Sequence, residues 1–356
     1  MHTTRFREPA RAAFTLIELM VSMAVLAIIM IISVQVLGQT QKTWRQGVSR
    51  LEQFREARMA FDSITQNLRQ AGLNTYLTYK YNDGSTPTVP ASKDETPKQY
   101  IRQSELQFIT GPVATLLPGS PGGALVTHAV FFQARLGVSD RDGYEALNRL
   151  LCGRGYFIMQ GNDDAYRPAP VSQRRTRFRL WEYRPPSEEN TVYSAAPGKW
   201  FSDAVNGAVS TSDSTDHPAN TRPVAENIIA LILSPQVTSQ DTASSGKKVT
   251  WIAPEYFYDS TQMGNVSSDN PQGTQHLLPP IMMVTMVAID EVSARLLDEE
   301  YHGTLPQLVP AGSFAHADSF QADLKALEEK LQEEKLNYRV FSAAIPMRNS
   351  KWSILK

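Results

Sequence analysis

The chain has 356 residues, 42% hydrophobic and 20% charged, with a formal net charge of −1 at pH 7. That balance excludes bulk attraction to nucleic acid, which usually shows as a basic domain or stripe. The single Cys152 excludes an intramolecular disulfide and the usual Cys-rich zinc sites, so the fold rests on packing, and a lone Cys reads as a small buried hydrophobe rather than a reactive thiol.

Residues 1–13 form a basic leader with Arg5, Arg7 and Arg11, and residues 14–37 are an almost unbroken apolar run, FTLIELMVSMAVLAIIMIISVQVL. A signal-peptide core is about 7–15 residues long, whereas this run suffices to cross a bilayer of roughly 30 Å as a helix. Within it stands one carboxylate, Glu18. An acid there costs roughly 2.5–3.5 kcal/mol near the helix centre and less near an end, so it asks for a partner. A cut between Ala13 and Phe14 would supply one. The new α-amino group of Phe14 would lie one turn from Glu18, at i and i+4, or could meet the Glu18 of a neighbouring copy. The plain alternative is a single-span anchor with a stray acid near its end.

The string RAAFTLIEL at 11–19 resembles the prepilin N-terminus. The resemblance implies a prepilin peptidase that cuts before Phe14 on the cytoplasmic side and methylates the new N-terminal Phe14, with Glu18 as the assembly carboxylate. The chain departs from the pattern at Ala13, where prepilins usually carry Gly. Basic residues flank both ends of the span, with Lys42, Arg45, Arg50 and Arg55 following it, so the positive-inside count is close to a tie. The resemblance implies the orientation: N-terminus in the cytoplasm and a periplasmic or extracellular globular domain, on a bacterial inner-membrane protein with one span.

The helix is expected to continue over 38–72. Apolar or small residues recur at Trp44, Val48, Leu51, Phe54, Ala57, Phe61, Ile64, Leu68 and Ala71, steps of three and four that make one helical face, with Gly72 as a C-terminal cap. No strict heptad is sustained, which favours packing on the protein's own sheet over a coiled coil. Residues 73–356 are then a globular domain of about 280 residues, within the range of one large or two small domains.

Residues 80–98 are rich in Pro, Ser, Thr and Asp without apolar period and read as a loop. Strand-like runs bounded by turn residues follow at 105–110, 125–134, 155–160, 176–183, 228–233, 249–252 and 281–289. Polar loops fall at 210–221 and 238–248. Helices are expected at 291–301 and 318–335, and a last strand at 338–345. The fold class is therefore α+β: a long N-terminal helix, transmembrane then amphipathic, packed on a mainly antiparallel sheet in a pilin-like arrangement.

Catalytic patterns are sparse. The six histidines, His2, His128, His217, His276, His302 and His316, show no metal-binding spacing. Gly119 to Gly123 lacks the Gly-Lys-Ser/Thr ending of a phosphate loop. Asp140 to Glu145 lacks the acidic ladder of a calcium loop, and Asp163 with Asp164 is ordinary turn chemistry. No catalytic residue, metal or cofactor is nominated. Trp251, Tyr256, Phe257 and Tyr258 read either as a ligand-binding platform or, more commonly, as a loop packed under the sheet.

Further strings carry the resemblance beyond the N-terminus: TWRQGVSRLEQFREAR at 43–58, RQSELQFITG at 102–111, HAVFFQA at 128–134, AENIIALILSP at 225–235, IAPEYFYDS at 252–260, LPPIMMVTMVAIDE at 278–291 and the closing IPMRNSK at 345–351. The last of these, a strand followed by an Arg-Asn pair, resembles the ending of pseudopilin-type proteins, and the six before it are similar to one prepilin-type family, the Verru-Chthon cassette protein C. This implies a non-enzymatic minor pseudopilin of a type II secretion or type IV pilus-like filament. Its expected partners are prepilin peptidase, other prepilin-like subunits and the inner membrane, with no nucleic acid. The alternative is a membrane-tethered binding module or adhesin for a polysaccharide or other surface polymer.

Overall fold

A computed structural model describes residues 16–81, 96–118, 125–139, 141–144, 150–164, 167, 169–191, 199–202, 205, 220–238, 249–268, 270–302 and 305–351. Outside these lie the leader, Ala13 and Phe14, and most of the expected loops at 80–98, 210–221 and 238–248. The chain divides into two units, Met1–Gln53 and Phe54–Lys356.

The first unit contains α1 (Leu16–Gln53). The apolar face expected at Trp44, Val48 and Leu51 falls on side chains outside the described set. One unbroken helix to Ala71 was expected, but α1 ends at Gln53 and α2 spans Arg55–Leu68. Phe54 leaves helical geometry between them at φ −104° and ψ 9°, and its ring packs at the margin of the main core.

The second unit is built on antiparallel strands. Those strands are β1 (Tyr76–Lys80), β2 (Gln99–Gln103), β3 (Ile109–Pro112), β4 (Leu125–Ala134), β5 (Cys152–Asn162) and β6 (Thr176–Tyr183), followed by β7 (Thr221–Glu226), β8 (Ile228–Gln236), β9 (Tyr258–Asp259), β10 (Ile281–Ile289) and β11 (Tyr338–Pro346). They form a six-stranded sheet in the order β7-β6-β5-β4-β3-β9, a three-stranded sheet β11-β10-β8 and a two-stranded ribbon β1-β2. Helices α3 (Val113–Leu116), α4 (Glu291–Glu300) and α5 (Phe320–Glu333) join them. The architecture is the expected α+β one.

The main core lies between the two larger sheets and under the helices. Ala57, Ala60, Phe61, Ile64 and Leu68 of α2 enter it with alternate residues of β4, such as Val130 and Phe132, and the whole run Ile228 to Leu233 of β8. The opposite face of the six-stranded sheet holds a second core, where Phe131, Phe157, Trp181 and Tyr183 meet Leu116, Trp200 and Phe201. With both faces covered, every residue of β6 is buried, which explains why its sequence shows no clean apolar–polar alternation.

A bulge ties the two sheets together. Pairing of β4 with β5 shifts between Val126 and Val130, where Thr127 takes φ 60°. Thr127 Oγ1 accepts from the N–H of Leu231 at 3.0 Å, and His128 Nδ1 accepts from that of Leu233 at 3.1 Å. β8 is the edge of its sheet, so these contacts satisfy buried edge donors that would otherwise be costly.

Several expected boundaries move for identifiable reasons. Residues 105–108 are not strand, because their backbone N–H groups go to side chains: Glu105 and Leu106 to Asn74 Oδ1, Gln107 to Gln133 Oε1 and Phe108 to Ser260 Oγ. The strand expected at 249–252 reduces to one bridge, Trp251 with Gln236. Gly72 is not a left-handed cap. Instead Ala71 bridges Ala134 and Gly72 N–H donates to Gln133 O at 3.0 Å, so the helix ends by joining the sheet. β7 was not expected as a strand and carries Pro223; it forms the sheet's edge, where a missing donor is tolerated.

Candidate membrane and assembly segment

Residues Leu16–Leu37 of α1 form one stretch long and apolar enough to cross a membrane, 22 residues of mean hydropathy 2.6. At 1.5 Å per residue it measures about 33 Å, against a hydrocarbon core of roughly 30 Å. Each of these residues is exposed, Leu16 at 78% and Val34 at 69% among them. A helix apolar on all sides and unburied by its own chain belongs in lipid or against other helices. Its polar groups suit that setting: Ser22 Oγ donates to Leu19 O at 2.9 Å, which satisfies the hydroxyl inside the helix.

Glu18 lies in the first turn of α1. An acid at a helix N-terminus is favoured by the helix dipole, by about 0.3–1 kcal/mol. It sits near one end of the span rather than its middle, where the cost of the charge is lower. Its expected partner, the Phe14 amine, and the cleavage residue Ala13 lie outside the described residues.

The remaining candidates resolve into structural roles. His128 is 1% exposed, and its ring lies 4.5 Å from that of Tyr256. Because Nδ1 accepts from Leu233, Nε2 must carry the proton and donate to Phe314 O at 3.0 Å. Burial pushes its pKa down to about 4, so the ring is neutral at physiological pH. Asp163 and Asp164 are not a catalytic pair: Asp163 binds Arg167 at 2.9 Å and Arg175 at 3.4 Å, and Asp164 binds Arg167 and Arg174. Burial works against the Asp163 charge, but the Arg175 N–H and the two guanidinium groups hold its pKa below the usual carboxylate range.

Tyr256 and Tyr258 are buried and Trp251 half-buried, so this stretch packs under the sheet and presents no open aromatic platform. Cys152 is buried, and burial pushes its thiol pKa up. Among the described residues no group of three or more His, Cys, Asp or Glu is placed to hold a metal. The strings Gly119 to Gly123 and, at Asp140 and Glu145, the acidic turn lie outside the described residues.

Sequence reasoning passed over two buried arginines on β6. Arg177, 2% exposed, binds Glu291 at 2.9 Å and Asp298 at 3.0 Å on α4, and Arg179, 1% exposed, binds Glu226 at 3.0 Å. Burial disfavours the Arg177 charge, yet the two acids more than offset it and raise its pKa. Two arginines alternating with Phe178 and Leu180 in a strand were the available signal. Arg177 clamps α4 onto the sheet and Arg179 ties β6 to the edge strand β7, and neither has an exposed reactive group.

The family described as the prokaryotic N-terminal methylation motif matches residues 9–34. No curated protein and no solved structure matches the chain. The matched stretch covers the end of the leader and most of the apolar run, with Ala13, Phe14 and Glu18 inside it. The chain therefore has a prepilin-like N-terminus leading into an apolar helix suited to membrane anchorage, as in a structural pilin-type subunit.

Proposed function

We propose that this protein is a minor pseudopilin, a non-catalytic subunit of a type II secretion or type IV pilus-like filament, of the Verru-Chthon cassette protein C kind. The observation that carries the reading is a methylation motif running directly into a 22-residue apolar stretch with Glu18 in the helix's first turn. The antiparallel α+β unit, with α2 packed on its sheets, supports it.

In this reading prepilin peptidase cuts between Ala13 and Phe14 and methylates the Phe14 amine. The amine stays cationic after methylation, and Glu18 of an adjoining subunit neutralises it. Both charges sit where water is scarce, so pairing removes two penalties at once and sets the axial stagger of neighbouring helices. The apolar surface of Leu16–Leu37 then exchanges lipid for protein, and association is driven by packing rather than by escape from water. The globular unit lies on the periplasmic or extracellular side.

Intact-mass and N-terminal peptide mass spectrometry on protein from native membranes tests this. The expected species begins at Phe14 and is heavier by one methyl group. A chain beginning at Met1 or His2 would show that Ala13 blocks the cut and that the segment is an uncleaved anchor.

A further inference from the structure

A cavity of about 770 Å³ opens where α2 ends, lined by Arg69, Arg135, Arg348 and Lys351 and, among the described residues, by no Asp or Glu. It is assembled from four distant segments: the exit of α2, Leu106 ahead of β3, the β4–β5 end of the large sheet and the residues after β11. Its walls are pinned. Ala71 bridges Ala134, Asn349 Nδ2 donates to Ala71 O at 2.9 Å, and Ser350 Oγ donates to Leu278 O at 3.0 Å. Lys351 Nζ donates to Thr75 O at 3.0 Å.

The side chains of Arg69, Arg135 and Arg348 have no ion pair or hydrogen bond among the described residues, and Arg69 Nε is both shielded from solvent and without an acceptor. Glu105, next in sequence to the lining residue Leu106, is already taken by Tyr76 and Asn74. Compensation of the α2 carboxyl end does not account for the cluster, because Asn349 already serves Ala71 O and Arg135 and Arg348 come from other elements. Like charges gathered without a counter-charge among the described residues raise the energy of the folded protein, and an anion relieves that cost. Guanidinium groups favour carboxylate and phosphate through paired N–H donors.

The remaining lining narrows the ligand. Leu73, Leu106, Leu151 and Ala134 supply apolar wall, and among the described residues no aromatic one lines the cavity. The volume far exceeds a bare oxyanion and falls in the usual range of ligand sites, about 300–1,000 Å³. The described lining offers charge and aliphatic surface rather than the aromatic faces on which sugar rings and nucleobases stack. We propose that this cavity binds an acidic peptide segment of a partner protein, with its carboxylates on the arginines and an aliphatic side chain on the leucines. The inference stands on the cavity alone and holds whether or not Phe14 is exposed by cleavage.

The test uses the full chain in non-ionic detergent and fluorescence polarisation of a labelled Glu-Leu-Glu-Leu-Glu peptide beside its Gln-Leu-Gln-Leu-Gln counterpart. The expected result is saturable binding of the acidic peptide alone, weakened about tenfold for each guanidinium removed, a factor that corresponds to about 1.4 kcal/mol. Arg135→Gln and Arg348→Gln serve for this, since neither side chain holds a bond among the described residues and both variants should melt like wild type. Lys325→Gln on α5 is the remote control and should bind unchanged. Equal binding of the Gln peptide, unchanged binding by the double arginine variant, or no binding at millimolar peptide would overturn the proposal. So would inorganic phosphate binding as tightly as the peptide, which would mark a simple anion site.

Discussion

Replacing His128 by Asn separates what this ring does by hydrogen bonding from what it does by titrating. Asn can keep an acceptor for the Leu233 N–H, but it loses the Nε2–H donated to Phe314 O and the ring contact with Tyr256. An unsatisfied carbonyl and lost packing should make the variant about 2 kcal/mol less stable at pH 7.5. The folded pKa of about 4 lies below the ordinary 6.5, so the neutral-ring contribution is complete above 6.5 and is lost as pH falls towards 4. Across that window wild type loses about 1.4 kcal/mol per pH unit, about 3 kcal/mol in all. Protonating Nδ1 would also set an N–H against that of Leu233, which works in the same direction as burial. The variant has no such term, while every carboxylate titrates alike in both proteins. Urea unfolding followed by Trp181, Trp200 and Trp251 fluorescence, repeated from pH 7.5 to 4, should show the stability gap closing and reversing. A gap that stays constant with pH would refute the buried neutral histidine.

Other positions give sharper single readings. Ile64, fully buried on α2, should cost about 3 kcal/mol when cut to Ala, seen as a lower urea midpoint with membrane retention intact; no shift would mean that α2 is not part of the core. Gly155 faces Phe131 across the β4–β5 pairing, and a side chain there would run into the Phe131 ring, which stacks on Phe201 at 4.0 Å. Gly155→Val should therefore destabilise by about 3 kcal/mol and reduce near-UV aromatic circular dichroism, and a native-like spectrum would count against this packing. Glu18→Ala should leave membrane insertion unchanged and reduce co-purification of prepilin-like partners several-fold; equal recovery would remove the charge-pairing role.

What was legible in the sequence is what neighbouring residues decide among themselves. An apolar run of sufficient length reads as a span from composition alone, and β4, β6, β10 and α4 start where their local patterns start. Asp290 accepts from Ser293 N–H at 2.7 Å as the α4 N-cap, a signal contained within four residues. The methylation motif is local too, so the N-terminal site could be proposed from a short string.

Tertiary structure decided the features whose cause lies far away in the chain. Helix α2 stops because Ala71 finds Ala134, and residues 105–108 leave the ladder because Asn74, Gln133 and Ser260 take their N–H groups. Arg177 and Arg179 are buried because acids from α4 and β7 arrive to meet them. The basic cavity likewise exists only after residues 69, 135 and 348 converge. Backbone propensity and apolar period act over a few residues, whereas satisfying a buried polar group or gathering like charges depends on which segments the whole fold brings together.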